Sequence, residues 1–518
     1  MPMRFFSNRE NAILLGLALA VLAAHMLDNA FGAYGYFRDE LYYIACSDHL
    51  AAGYVDQPPL SIFLLALNRT LFGDSLFALR LPAAIASGAT VFLAGRMARE
   101  LGGNLFAQVL AALAVIVSPI YLGFCSIFSM NCFDLFFWTA SMFILIKILN
   151  TSSDEFKKSG HKYWVLLGIT LGLGLLNKID VLWLAAGIFL GLLLTKNRWW
   201  FKTRWPWVAG GIAFLLFIPY IVWNIQHNFA HLEFIRNASG GKYSVLSPLT
   251  FVLGQFLINN VVAAPLWLAG LAFFFSKTRN FRPLGILYVV AFLTLLFNGH
   301  SKAEYLAPAY TMLFAGGGVA FERMLASRSR KWLSVTYPTL LIISGFAFAP
   351  LAMPVLPVET YIRYAAALGQ SPSSPEGKRL EKLPQFFADM FEWEEKAAAV
   401  GKVFNTLSPE EKAKCAIFAN NYGRCGAIDF FGAKYGLPKS IGDHNNYWIW
   451  GPRQYTGEVV IVLGGNPDDH RRSFEQVVVA DTVSCSYCMP YENHLTITVC
   501  RHLKKSLNEV WPRLKHFE

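Results

Sequence analysis

The 518-residue chain is expected to be an α-helical polytopic membrane protein of about eleven transmembrane helices, with a C-terminal extracytoplasmic α/β domain. Three observations predict this class. First, 55% of the residues are hydrophobic and only 15% are charged, where a soluble protein carries roughly 25% charge. Second, apolar runs near the 20-residue length of a bilayer span recur along the first 350 residues. Third, the composition changes after Pro350, where Pro354 and Pro357 punctuate the chain, charges become frequent and no long apolar run follows. These features argue against a soluble enzyme and exclude a disordered chain, which needs low hydrophobicity.

The expected spans lie near 11–28, 77–95, 105–122, 129–149, 163–177, 180–195, 206–224, 251–276, 283–298, 305–321 and 333–350. The first lacks a small-residue cleavage pattern and reads as an anchor helix rather than a removed signal. With the N-terminus inside, eighteen Lys and Arg fall in the cytoplasmic loops and six in the opposite ones. That bias is the positive-inside pattern, and eleven spans then carry residues 351–518 outside the cytoplasm. Orientation thus accounts for much of the +11 net charge, and no nucleic-acid partner is expected. The domains are 1–350, transmembrane, and 351–518, extracytoplasmic. In the latter, strands are expected at Ala416–Asn420, Val459–Leu463, Val477–Val479 and Leu495–Cys500, and helices at Glu381–Val400 and Asp468–Gln476.

The first outer loop, 29–76, carries Tyr36-Phe37-Arg38-Asp39-Glu40 and then Asp56-Gln57-Pro58-Pro59-Leu60. Adjacent carboxylates at a membrane surface suit a general base that deprotonates a nucleophile. They also suit the first turn of a helix, whose N-terminus is partly positive. Asp134, near the outer end of a span, is an ionisable residue at membrane depth and therefore a functional candidate. Lys178, Lys302 and the pair Arg236 and Lys242 are outer-side cations beside apolar spans. A lipid-linked phosphate needs such partners, although long cationic side chains also snorkel to the interface with no ligand. Their common side with Asp39 favours a site.

These residues resemble the bacterial branch of the GT-C glycosyltransferases. That branch contains the protein O-mannosyltransferases, the lipid A aminoarabinose transferases and related enzymes of lipopolysaccharide modification. The elements that carry the likeness are Phe37-Arg38-Asp39-Glu40, Gln57-Pro58-Pro59-Leu60, Asn177-Lys178 and Lys302-Ala303-Glu304-Tyr305-Leu306-Ala307-Pro308. It covers about 10–350. Asn420-Asn421-Tyr422-Gly423, Phe430-Phe431-Gly432 and Gly442–Trp448 look like the tail domain of one bacterial subgroup.

The resemblance implies a GT-C-like transmembrane domain and a multi-pass protein of the cell inner membrane. Its activity would be transfer of a sugar, a hexose or a pentose, from a polyprenyl-phosphate donor to a cell-envelope acceptor: a lipid, a glycan or a protein. Asp39 corresponds to the acidic residue of the first outer loop that serves as the catalytic base, with Glu40 completing the dyad. Asp134 lies near the second acidic position, for which Asn131 competes. Lys178, Lys302 and Arg236 would face the donor phosphate, as would Gln57, which stands where many relatives carry Lys. Tyr36, Tyr305 and His300 flank these charges as candidate substrate contacts. The base would take a proton from the acceptor while the lipid phosphate leaves, inverting the anomeric carbon. No cofactor is required on this reading; a divalent metal could use Asp39 and Asp134, but the cationic surroundings favour catalysis without one. The alternative is a polytopic lipid or saccharide transporter or flippase. Such a protein tends to show internal repeats, and none is visible here.

Eight cysteines are present. Five lie in the outer domain, where disulfides are plausible. Cys415 with Cys425 is one candidate pair, and Cys485 or Cys488 with Cys500 is another. Cys485-Ser486-Tyr487-Cys488 could instead be half of a zinc site, though no second half follows.

Overall fold

A computed structural model describes residues 9–151, 161–242, 245–276, 279–325, 328–374 and 376–518. The fold is mostly helical, with one small sheet near the C-terminus. The chain separates into two compact units. One comprises Met1–Gly32, Phe72–Val222 and Val245–Leu356, and the other Ala33–Leu71, Trp223–Ser244 and Pro357–Glu518.

The first unit is the membrane body. Its long apolar helices are Arg9–Phe31, Leu76–Glu100, Met130–Asn150, Trp205–Gln226 and Leu333–Leu351. Among the described residues, these five are long and apolar enough to cross a bilayer, and three bent pairs raise the number to eight if each pair is one span. Eleven unbroken spans are therefore not reproduced. The expected span at 105–122 bends by 61° between Leu105–Ile116 and Pro119–Cys125, and that at 251–276 bends by 92° between Pro248–Ile258 and Val261–Phe275. Pro119 cannot supply the N–H that would continue the helix through that bend. The expected span at 305–321 begins as the 3-10 segment Ala303–Ala309, which contains Pro308, and becomes α-helical only at Tyr310–Leu325. Glycines let helices close on one another: a Cβ on Gly168 would lie 2.8 Å from Ala209 Cα.

The second unit is α/β. Its strands are β1 (Cys415–Ala419), β2 (Ile441–Gly442), β3 (Val459–Leu463), β4 (Phe474–Val483) and β5 (Leu495–Leu503), in the order β2-β1-β3-β5-β4. β1 runs parallel to β2 and β3, and β5 runs antiparallel to β3 and β4. The buried side chains of Ala416, Ile441, Val460, Val462 and Cys500 pack with Leu507 and Trp511 to form the core. The helix expected at 381–400 is instead Gln385–Ala388 and Trp393–Asn405, interrupted at Glu392, whose φ of 59° no helix accommodates. The helix expected at 468–476 ends at Ser473, because the β-branched run Val477-Val478-Val479 draws Phe474–Gln476 into β4.

The expected cysteine pairs do not form. Cys485 is joined to Cys488, and Cys415, Cys425 and Cys500 are free and buried. Cys500 belongs to the packed core of the sheet, while the Cys425 thiol donates to the Ala419 carbonyl. Cys485 and Cys488 close a loop between β4 and β5, and among the described residues no further metal-ligating side chains gather with them.

Candidate functional site

The loop 33–71 of the second unit is largely structured. It contains the helices Arg38–Asp48 and Leu60–Phe72. Phe37 caps the first helix in an extended conformation, and Asp39 and Glu40 occupy its first turn, where the N-terminal dipole favours carboxylates. The two acids then diverge. Glu40 is fully buried, and its Oε2 accepts the Phe37 N–H at 2.8 Å, closing the helix end. The Asp39 side chain is 35% exposed, so it is the carboxylate of the pair that a substrate can reach.

Asp39 is held from two directions. The Tyr422 hydroxyl donates to its Oδ1 at 2.8 Å, and the Arg38 Nε–H donates to the same oxygen at 3.3 Å. Tyr422 opens the helix Tyr422–Phe431, which packs closely on Arg38–Asp48 through two glycines. A Cβ on Gly423 would crowd the Arg38 side chain, and one on Gly426 would lie 2.8 Å from the Leu41 backbone.

Behind Asp39 lies a buried polar network. Arg38 donates to the Tyr491 hydroxyl at 3.0 Å and to Glu376 at 3.4 Å, and its Nη1 is 3.5 Å from Asp389 Oδ2. The Gln385 amide donates to Glu376 at 2.8 Å and to Asp389 at 3.4 Å. Burial raises the Asp389 carboxyl to about 7 against the pull of Arg38. Farther along, Arg424 makes two hydrogen bonds to Glu492, and the Lys396 ammonium is 3.8 Å from the same carboxylate.

The other expected residues of this unit are dispersed. Tyr36 packs its ring against Phe430 and Phe431, at 5.0 and 5.7 Å between centroids. Gln57 is fully buried; its side-chain amide has no hydrogen-bond partner among the described residues, and its backbone carbonyl accepts the Tyr54 N–H. Arg236 is exposed on the helix Ala230–Asn237. The Lys242 side chain lies outside the described residues.

The membrane unit gathers a second cluster. Asn177 ends the helix His161–Asn177, and its amide donates to the Met130 carbonyl at 2.9 Å, tying the turn to the start of the Asp134 helix. The Lys178 ammonium then sits 3.3 Å from Asp134 Oδ2 and 2.8 Å from Asp180 Oδ2, and 5.3 Å from the centre of the Tyr305 ring. Asp134 and Asp180 are buried. Lys302 is half-buried and caps the 3-10 segment that carries Tyr305. His300 is half-buried beside it in sequence, with its Nδ1 inaccessible. Asp134, Lys178 and Tyr305 thus come together, with Asp180 as a partner that was visible only as a turn residue.

Tyr422, Glu376, Asp389 and Asp180 complete these clusters beyond the expected set. Among the described residues, no group of three His, Cys, Asp or Glu side chains is placed to hold a metal ion. Asp39 and Asp134 each already face a cation, which offsets the charge a metal would use.

Comparison with known proteins places this geometry in a fold. Residues 56–223 match the family model described as dolichyl-phosphate-mannose-protein mannosyltransferase. The undecaprenyl phosphate-alpha-4-amino-4-deoxy-L-arabinose arabinosyl transferase of Pseudomonas paraeruginosa is 24% identical over 302 residues, which is 52% of this chain and 54% of that protein. The corresponding transferase 1 of Pseudomonas fluorescens is 25% identical over 304 residues, 51% and 53% of the two chains. The chain therefore spans about half the length of the curated relatives it matches. The crystal structure of ArnT from Cupriavidus metallidurans bound to undecaprenyl phosphate superposes with a TM-score of 0.62 at 12% identity, covering 94% of this chain and 97% of that one. Its apo form gives 0.60 at 13% identity, with the same coverage. The chain has the GT-C fold and is membrane-embedded.

Proposed function

We propose that the chain is a membrane glycosyltransferase that moves a sugar from an undecaprenyl-phosphate donor to a cell-envelope acceptor, with Asp39 as the base. The observation that carries this reading is the Asp39 carboxylate itself: partly exposed, at a helix N-terminus, with both of its hydrogen bonds on Oδ1. Oδ2 is then the atom assigned to the acceptor proton. A base needs hydrogen-bond reach to its proton and a fixed orientation, and Tyr422 and Arg38 supply the orientation. The GT-C fold and the names of the matching transferases support the donor class. They make the 4-amino-4-deoxy-L-arabinose lipid the first donor to try.

The chemistry is a single inverting displacement. The acceptor O–H or N–H gives its proton to Asp39 as the new bond forms at the anomeric carbon, and the carbon–oxygen bond to the lipid phosphate breaks. The phosphate leaves as an anion and requires no general acid. Lys178, together with Lys302 and Arg236, is assigned to that charge. Asp134 and Asp180 then act on Lys178, holding its ammonium in place, while Glu40 supports the helix that carries Asp39. Gln57 is assigned to the donor phosphate, and Tyr36, Tyr305 and His300 to substrate contacts.

Residues 1–350 form the transmembrane glycosyltransferase domain in this proposal, and 351–518 the extracytoplasmic domain. The Lys and Arg bias supports an active site on the outer face of the inner membrane. Reconstitution of the full chain with undecaprenyl-phosphate sugars labelled at the anomeric carbon tests the proposal. Transfer with inversion to a lipid, glycan or protein acceptor is the expected result. Transbilayer movement of the donor with no new glycosidic bond would favour a flippase instead.

A further inference from the structure

A cationic cavity in the membrane unit takes no part in this chemistry. The helix Val181–Leu193 ends at Leu194, and the 3-10 segment Lys196–Lys202 leaves it at 106°. The corner is braced: the Thr195 hydroxyl donates to the Gly191 carbonyl at 2.9 Å and accepts the Asn197 N–H at 3.3 Å, and the Asn197 amide donates to the Asn280 carbonyl at 3.3 Å. Gly187 and Gly191 bring the same helix against Arg282–Phe297, so that a Cβ on Gly191 would lie 3.0 Å from Pro283 Cα. These elements frame a cavity of about 540 Å³, within the roughly 300–1,000 Å³ of ligand pockets.

The lining divides by chemistry. Leu194, Phe275 and Ile286 are apolar, Thr195 is polar, and Lys196, Arg198 and Arg282 are cationic; among the described residues no carboxylate contributes. The sequence carries no acidic residue between Asp180 and Glu233, nor between Glu233 and Glu304. The segments 181–232 and 234–303, which line the cavity, therefore supply no carboxylate to neutralise the three cations. The adjoining segment has the marks of a membrane–water boundary, where tryptophan concentrates. Trp199 and Trp200 stack at 4.1 Å, the Arg204 guanidinium lies 4.8 Å from the centre of the Trp205 ring, and Trp199 and Trp207 are exposed. Orientation by the positive-inside rule accounts for cations in this loop, but not for a braced cavity with an apolar wall.

We propose that this cavity holds the phosphate headgroup of an anionic glycerophospholipid. Lys196, Arg198 and Arg282 meet the phosphate, and Leu194, Phe275 and Ile286 meet the upper acyl chain. Basic pockets between membrane helices recognise such headgroups through this combination of charges. The proposal is independent of the transfer reaction.

Native mass spectrometry of the full-length protein tests it, with phosphatidylglycerol, phosphatidylethanolamine and millimolar inorganic phosphate as probes. Phosphatidylglycerol is expected to be retained about fivefold over phosphatidylethanolamine. The triple variant Lys196→Gln/Arg198→Gln/Arg282→Gln should lose that preference. The charge-conserving variant Lys196→Arg/Arg198→Lys/Arg282→Lys should keep it, which separates loss of charge from loss of fold. Lys202→Gln/Arg204→Gln, in the same loop but outside the lining, should also keep it. Equal retention by wild type and the triple variant would overturn the proposal. So would loss of the preference in the Lys202/Arg204 variant, which indicates diffuse surface attraction. Displacement of the lipid by inorganic phosphate would overturn it in favour of a soluble anion.

Discussion

The Tyr422 hydroxyl donates a 2.8 Å hydrogen bond to Oδ1 of Asp39, across 383 residues of sequence. The Tyr422 ring also lies 5.4 Å from the Arg38 guanidinium, whose Nε–H donates to the same carboxylate oxygen. The surroundings of the proposed base therefore come from a helix of the C-terminal region as much as from the loop that carries it. Tyr422→Phe keeps the ring and removes one hydrogen bond. Bonds to charged groups contribute about 1.5–3 kcal/mol, and Arg38 remains in the variant. Turnover in a reconstituted transfer assay should fall about tenfold, since about 1.4 kcal/mol is a factor of ten in rate. KM for the lipid donor should stay unchanged; a KM effect alone would mean that Tyr422 serves binding.

Lys178 stands between two buried carboxylates. Its removal leaves both unpaired, and breaking a buried pair costs about 3–5 kcal/mol. Lys178→Met should therefore lower the thermal unfolding temperature as well as activity. Adding Asp134→Asn and Asp180→Asn to that variant should restore much of the stability but none of the activity. Equal stability of the single and triple variants would show that the two carboxylates do not depend on Lys178.

The close approach at Gly426 is a packing requirement. A Val there would drive its Cβ into the Leu41 backbone, and overpacking costs about 1–3 kcal/mol. Gly426→Val should lower the unfolding temperature of the full chain. It should also lower transfer by shifting the helix that carries Asp39. Gly210→Ala, at a helical position with open space around it, should do neither.

The Asp389 carboxyl gives the fold a pH dependence. Burial, opposed by Arg38, raises it from 3.8 to about 7. The folded chain thus keeps a proton that the unfolded chain releases near pH 4. Stability from this group is complete below about pH 4 and is lost as pH rises through about 7. The unfolding temperature of wild type relative to Asp389→Asn should therefore fall between about pH 4 and about pH 7 and level off above it. A constant difference across that range would remove Asp389 as the source.

Much of the architecture was legible in the order of residues. Val459–Leu463 reads as a strand and is one, with the same ends. Arg38–Asp48 follows from two acids opening an amphipathic run. The bends in the membrane unit were less legible, because apolar composition persists through them and hydropathy does not register a change of direction. Gln476 was drawn into β4 by neighbours whose strand preference local helix signals do not reveal.

The candidate site was legible in part. Asp39 stood out as an acid in an expected outer loop, and Lys178 as a cation in a short turn. Their partners did not, because Tyr422, Glu376 and Asp389 are hundreds of positions from Arg38 and Asp39 and carry no spacing motif. Nor could composition separate the exposed Asp39 from the buried, helix-closing Glu40 next to it. The cysteines show the same limit: Cys485 is joined to Cys488, while Cys415, Cys425 and Cys500 are free and buried, and counting cysteines does not reveal where each lies in the fold.

The most direct test of the central claim compares wild type, Asp39→Asn and Asp39→Glu as full-length protein in vesicles with an undecaprenyl-phosphate sugar donor and labelled acceptor. Asp39→Asn keeps the size of the side chain and removes the base. It should bind donor as wild type does and lose transfer by about 10²–10⁴-fold, while Asp39→Glu should retain a measurable fraction. Transfer by Asp39→Asn at the wild-type rate would contradict the account.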